Sequence, residues 1–194
     1  MIKIRPTVVT YNKWPLPTLP AMTGRVVFQD LWDPIAGMLP GTWTRLSPTY
    51  TSPNVWDVYY PNTNWDGFLQ AVQILEVIEL NMDGVTTAAN MFSGNNRMTS
   101  AKLYETSSLT NCNSMFNECR SLTAIYPFDV SSVEHCASMY AYCYNVESGI
   151  YTMYNNLAKS KATSSMSHHG AFQHCGEYTQ TGSAELALIP SGWK

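Results

Sequence analysis

The stretch Leu109-Thr-Asn-Cys-Asn-Ser-Met-Phe-Asn-Glu-Cys-Arg-Ser-Leu-Thr-Ala-Ile-Tyr-Pro-Phe-Asp-Val-Ser-Ser132 decides the reading, because its neighbours on both sides repeat it. Met91-Phe92, Met115-Phe116 and Met139-Tyr140 are spaced by 24, and so are Met98, Leu122 and Val146. Val85, Leu109 and Val133 form another column, as do Ala88, Cys112 and Cys136. Ile74, Val77 and Leu80 stand in a partial earlier unit where Leu122, Ile125 and Phe128 stand later, and Ala171-Phe172 and Cys175 close the series. That last pair lies 32 residues beyond Tyr140, so the final unit carries an insertion of eight.

Within a unit, Cys112, Met115, Phe116 and Cys119 follow i, i+3, i+4, i+7, the stripe of a short amphipathic helix. Leu122, Ile125 and Phe128 recur every third residue, which predicts a turn and a short strand. Ser131 with Glu134 three residues on reads as a capping box that restarts the helix. A 24-residue unit cannot cover its own apolar face, so neighbouring units are expected to stack into a solenoid.

Outward from the repeats the composition changes. Of 11 Pro, nine fall before residue 66, from Pro6 to Pro61, which excludes long helices there. Residues 1–53 therefore read as an extended Pro/Trp-rich arm. Its Trp14, Trp32 and Trp43, with Val26-Val-Phe28, make it too apolar for a solvated tail and mark it as a docking segment. Residues 54–73, with Trp56, Tyr59, Tyr60, Trp65 and Phe68, supply an aromatic cap for the repeats of 74–180. Residues 181–194 supply the other cap, a short helix over Ser183–Leu188 stopped by Pro190 with Trp193 folding back.

The repeat resembles the BspA-like leucine-rich-repeat family, which runs on an MF-x-x-C-x-S-L-T core followed by F-D-[TV]-S-x-V; both halves stand here at 115–123 and 128–133. Asn95 departs from it where later units have Cys119 and Cys143. The resemblance implies an α/β leucine-rich-repeat solenoid of about four coils, used for binding at surfaces and without catalytic residues. The segments Asn54–Trp65 and Glu185–Trp193 are similar to proteins of gut bacteriophages. With no signal peptide read at the start, the expectation is a virion component. The arm would bind other virion proteins and the solenoid a host surface protein or glycan; a bacterial cell-surface adhesin is the alternative.

Chemistry is sparse. With a net charge of −3 and no basic run, a nucleic-acid partner is not expected. No apolar stretch reaches the roughly 18 residues of a membrane span. Five Cys, none in a C-x-x-C pair, argue against a disulfide framework or a zinc module, and on the buried stripe they read as a column of inert thiols. His168, His169, His174 and Cys175 are the densest set of metal-ligand types, but adjacent histidines of a strand point to opposite faces, so no metal or other cofactor is expected. Asp129, Glu134 and Glu147 could be assembled into a glycosidase pair only with a pocket the repeats do not offer, and the protein is read as no enzyme.

What remains is an aromatic surface: Tyr142, Tyr144, Tyr151 and Tyr154, joined by Tyr126 one unit earlier, with Ile78, Lys102 and Ile150 in its column. Tyrosine flanked by Asn, Ser and Ala is the chemistry of a binding face, because it offers rigid contact area and a hydroxyl. A homo-oligomer is left open.

Overall fold

The computed structural model describes residues 23–29, 31–34, 37–46, 54–160 and 165–194. Five strands, β1 (Thr23–Phe28), β2 (Thr42–Arg45), β3 (Asn54–Tyr59), β4 (Ile74–Asn81) and β5 (Ser100–Tyr104), form one mixed sheet of order β2-β3-β1-β4-β5. Two short helices follow, α1 (Ile150–Ala158) and α2 (Gln180–Ala187), and a 3-10 turn at Ser191–Trp193. The sheet is antiparallel across β2, β3, β1 and β4, and only β4 and β5 run parallel.

The expectation of an α/β leucine-rich-repeat solenoid of about four coils with an extended arm is therefore corrected: among the described residues the fold is a single five-stranded mixed sheet with two short helices. Two physical reasons account for the difference. First, the apolar part of the supposed arm is β-sheet. Val26, Val27 and Phe28 are buried in β1, which sits at the centre of the sheet, and the Arg25 guanidinium holds both carboxylate oxygens of Asp57 on β3 at 2.7 and 3.1 Å. A β-branched and aromatic run with a cross-strand ion pair is a strand signal, and among the described residues Pro34, Pro40 and Pro61 lie in the connections between strands.

Second, the i, i+3, i+4, i+7 stripe is not helical. Amide groups of Cys112, Ser114, Phe116 and Glu118 donate to the carbonyls of His135, Ala137, Met139 and Ala141 at 2.8–2.9 Å, one unit further on. Between them, the amides of Met115 and Asn117 close turns on the carbonyls of Cys112 and Ser114, three residues back, as Cys119 does next on Phe116, and the Asn113 amide donates to the Asn111 side chain. A helix would spend all these donors within itself. Consecutive four-residue turns bury the same set of positions as two helical turns, so apolar spacing cannot tell them apart. Ser131 starts no helix either: its amide donates to the Asp129 carboxylate at 2.8 Å in a local turn, and the Glu134 amide goes to the Thr110 carbonyl.

These turns demand a left-handed residue at every fourth position. Positive φ recurs in pairs four residues apart at Gly67 and Ala71, Asn90 and Gly94, Ser114 and Glu118, Ser138 and Tyr142, and Gly170 and His174. The core runs beneath them as a column of stacked rings, Phe92, Phe116, Tyr140 and Phe172, at centroid separations of 5.1, 4.9 and 5.8 Å. The unit of greater length contains α1, held by Ile150, Met153 and Leu157 against the core, and the Tyr151 amide at its start donates to Glu185 of α2 at 2.9 Å.

Candidate functional site

All five cysteines are free and buried. The Cys119 thiol donates to the Phe92 carbonyl at 3.2 Å and the Cys143 thiol to the Phe116 carbonyl at 3.1 Å, tying each layer to the one before. Asn95 does the same for the first layer, its amide donating to the Leu69 carbonyl at 2.7 Å. The apparent departure at 95 is thus the same donor in another side chain. Burial pushes the Cys136 and Cys143 thiols up to about 12 and the other three well above the ordinary thiol value. Such thiols are structural, since the thiolate is the reactive form.

The histidines do not gather. His168 lies flat on Trp193 at 4.1 Å, and His174 Nδ1 meets Glu177 Oε2 at 2.7 Å. The three carboxylates considered for catalysis are also spread, Asp129 and Glu134 in one turn region and Glu147 in the next layer, all exposed. A groove of about 300 Å³ beside the end of β5 is lined by Leu103, Tyr104, Glu105, Thr106, Ser107 and Asp129. The Asp129 carboxyl is held below its ordinary value, chiefly by hydrogen bonds from the Ser131 side chain and backbone.

The tyrosines marked from sequence fall into three places. Tyr126 is exposed beside β5, with the Lys102 ammonium 5.4 Å from its ring centroid. Tyr151 and Tyr154 stack at 6.0 Å on α1, and Tyr154 meets Trp193 edge-on at 5.3 Å, so this pair packs beside the last residues of the chain; Ile150, expected on the surface column, is fully buried. Tyr142 and Tyr144 stand together, 6.1 Å apart, and are joined by two residues that sequence reading did not place there. His174 stacks on Tyr142 at 5.4 Å, and Tyr178 stacks on Tyr144 at 4.5 Å and 13°.

The result is a ridge of two short ring columns, Tyr142 with His174 and Tyr144 with Tyr178. Backbone bonds set its spacing: the Tyr142 amide donates to the Gln173 carbonyl at 2.8 Å, and the Tyr178 amide to the Tyr144 carbonyl at 3.0 Å. Thr179, next to Tyr178, is the N-cap of α2, accepting from the Gly182 amide and donating to the Val146 carbonyl. Tyr178 is thereby rigid in its backbone yet 70% exposed. One layer earlier, Glu118 and Arg120 form an exposed ion pair at 2.9 Å, and the Asn145 amide donates to the Arg120 carbonyl. The Tyr144 phenol is held above its ordinary value, by desolvation first and by Tyr178 next.

The ridge stands on left-handed backbone. Glu118, Tyr142 and His174 have φ of 60°, 61° and 56°, in the column where Gly94 has 78°. A left-handed L-residue costs about 1–2 kcal/mol, least for Gly and Asn, and bulky side chains there are uncommon. His174 was within reach of sequence analysis, being 32 residues beyond Tyr142 like the other last-layer residues; Tyr178 was not, because its offset of 34 from Tyr144 fits neither spacing.

Of the docking residues, Trp14 lies outside the described residues. Trp32 is half-buried and stacks on Phe28 at 4.5 Å, and Trp43 is buried, tilted against Phe28 and Phe68, with its indole N–H on the Pro40 carbonyl at 3.0 Å. Both rings pack on the chain's own core. Among the described residues of this region, the large apolar side chains turned outward are Leu31, Met38 and Leu46.

Residues 64–181 match the family of Mycoplasma proteins of unknown function, DUF285, which is related to the BspA-like repeats. The chain belongs to that family. No curated protein and no solved structure matches it. The match begins at the first turn layer and ends within α2, so it takes in the whole ridge. It does not support the expected leucine-rich-repeat solenoid or a bacteriophage virion protein, and the solenoid also conflicts with the five-stranded sheet.

Proposed function

We propose that this is a non-catalytic binding protein whose contact surface is the ridge of Tyr142, Tyr144, His174 and Tyr178. The observation that carries the reading is Tyr142: a large aromatic residue kept in a left-handed position where the equivalent of an earlier layer is Gly94, and where its ring serves the ridge rather than the core. Tyr142 is half-buried, and strain retained at a side chain that lies outside the core points to a use for that side chain. Rigid tyrosines bring wide contact area at small entropy cost. The titratable groups around them are engaged with one another, Glu118 with Arg120 and His174 with Glu177, in keeping with recognition rather than chemistry.

The target in this reading is a molecule displayed on a cell surface. Fluorescently labelled protein incubated with a panel of intact bacterial cells tests it. Retention on at least one cell type that Tyr144→Ala and Tyr178→Ala abolish, while both variants keep the wild-type melting temperature, is the expected result. Retention that neither substitution weakens would remove the ridge from the function.

A further inference from the structure

Resting on the ridge as the binding surface, we infer that its ligand is an uncharged carbohydrate, with one sugar ring lying on the outer face of Tyr178 and its hydroxyls meeting the polar groups alongside. Three features favour this chemistry. The inner face of Tyr178 is taken by Tyr144 at 4.5 Å, so the rigid, exposed ring has its other face for a flat partner bearing C–H groups.

The second feature is the rim. Glu177, Glu118, Arg120 and Asn145 surround aromatic rings, and the large apolar side chains that stand exposed in the described residues, Leu31, Met38, Leu46 and Leu188, lie in other segments of the chain. The core of a protein interface is depleted in glutamate. Carboxylates beside ring faces suit a ligand that brings many hydroxyl donors, each able to make a charge-assisted hydrogen bond.

The third is charge. Glu118 and Arg120 neutralise each other at 2.9 Å, and Glu177 is shared with His174 at 2.7 Å, so the ridge offers no cationic excess for a phosphate, a sulfate or a uronic acid. The surface is open, and the groove of about 300 Å³ lies elsewhere, beside β5. An open platform fits a unit of a longer chain better than a small molecule, which proteins bury in a cleft.

Affinity electrophoresis in native gels tests the inference, with xylan, a mixed-linkage β-glucan, galactomannan or α-mannan as neutral probes and polygalacturonate and dextran sulfate as anionic ones. Retardation by at least one neutral polysaccharide is expected. Tyr178→Ala and Tyr178→Leu should weaken it by about tenfold, and Tyr178→Phe, which keeps the ring, should hold it within about twofold. Tyr104→Ala, an exposed tyrosine away from the ridge, should change nothing. Retardation by no neutral probe, by the anionic probes alone, or equally in Tyr178→Leu would overturn the inference. Ridge-dependent retention on cells without retardation by any polysaccharide would leave the binding reading standing and remove only the sugar.

Discussion

Tyr144 and Tyr178 lie ring on ring, 4.5 Å apart and within 13° of parallel, across a sequence separation of 34 residues. The core rings beneath them follow separations of 24 and 32, so the surface stack is not a by-product of the repeat register. It exists because the chain after Cys175 turns at Gly176, bonds the Tyr178 amide to the Tyr144 carbonyl, and enters α2 at Thr179. The same geometry that ends the stacked turns builds the ridge.

Left-handed backbone at Glu118 should cost stability for no structural return beyond one exposed ion pair. Glu118→Gly is expected to stabilise the protein by about 1 kcal/mol, since an exposed pair contributes little and the strain is relieved. Urea denaturation measures it; a destabilised Glu118→Gly would show that the position is unstrained.

Asn95 occupies a buried site with its amide satisfied and its Oδ1 without a hydrogen bond. Replacement by Cys, the residue of the later layers, should keep a donor and remove that orphan. Asn95→Cys is expected to be neutral to stabilising, whereas Asn95→Ala should cost about 1–3 kcal/mol through the Leu69 carbonyl left unpaired, the Phe92 carbonyl still accepting from the Cys119 thiol and from the backbone amide of residue 95. Equal effects of the two would refute the shared donor role.

The five thiols should be silent toward a disulfide reagent at pH 8 in the folded protein, and all five should react once it is denatured. Burial pushes every one of them up, two to about 12, so the thiolate fraction is negligible and access is closed. Rapid labelling of any cysteine under native conditions would contradict the packing.

Glu79 is buried beside Arg25, Asp57 and Lys102, and its carboxyl is raised above the ordinary value by desolvation first, with Asp57 adding and the two cations opposing. A raised carboxyl favours the neutral acid in the folded state. Stability is then lost as pH climbs from the ordinary value through the raised one, and regained below both. Glu79→Gln should therefore be more stable than wild type at pH 7, with the gap closing as pH falls below the ordinary carboxylate range. A less stable Gln variant at pH 7 would show that the charge is paired.

The sequence by itself determined which residues are buried together. Columns such as Phe92, Phe116 and Tyr140 stand stacked, because a repeated apolar position must be covered by its repeat. It also marked the cysteines as buried and set Tyr142 and Tyr144 off the core columns, where the structure has both half-buried. Only the tertiary structure decided the architecture. Apolar spacing alone cannot separate two helical turns from two consecutive β-turns, and the answer lies in whether amides such as that of Phe116 bond within their unit or to Met139 of the next. Only the tertiary structure, likewise, took Trp43 out of a supposed arm and packed it on Phe28 and Phe68, since strand pairing between residues 23–28 and 54–59 is a non-local bond that no local pattern announces. And it alone added Tyr178 to the ridge, where a chain turn rather than a repeat sets the position.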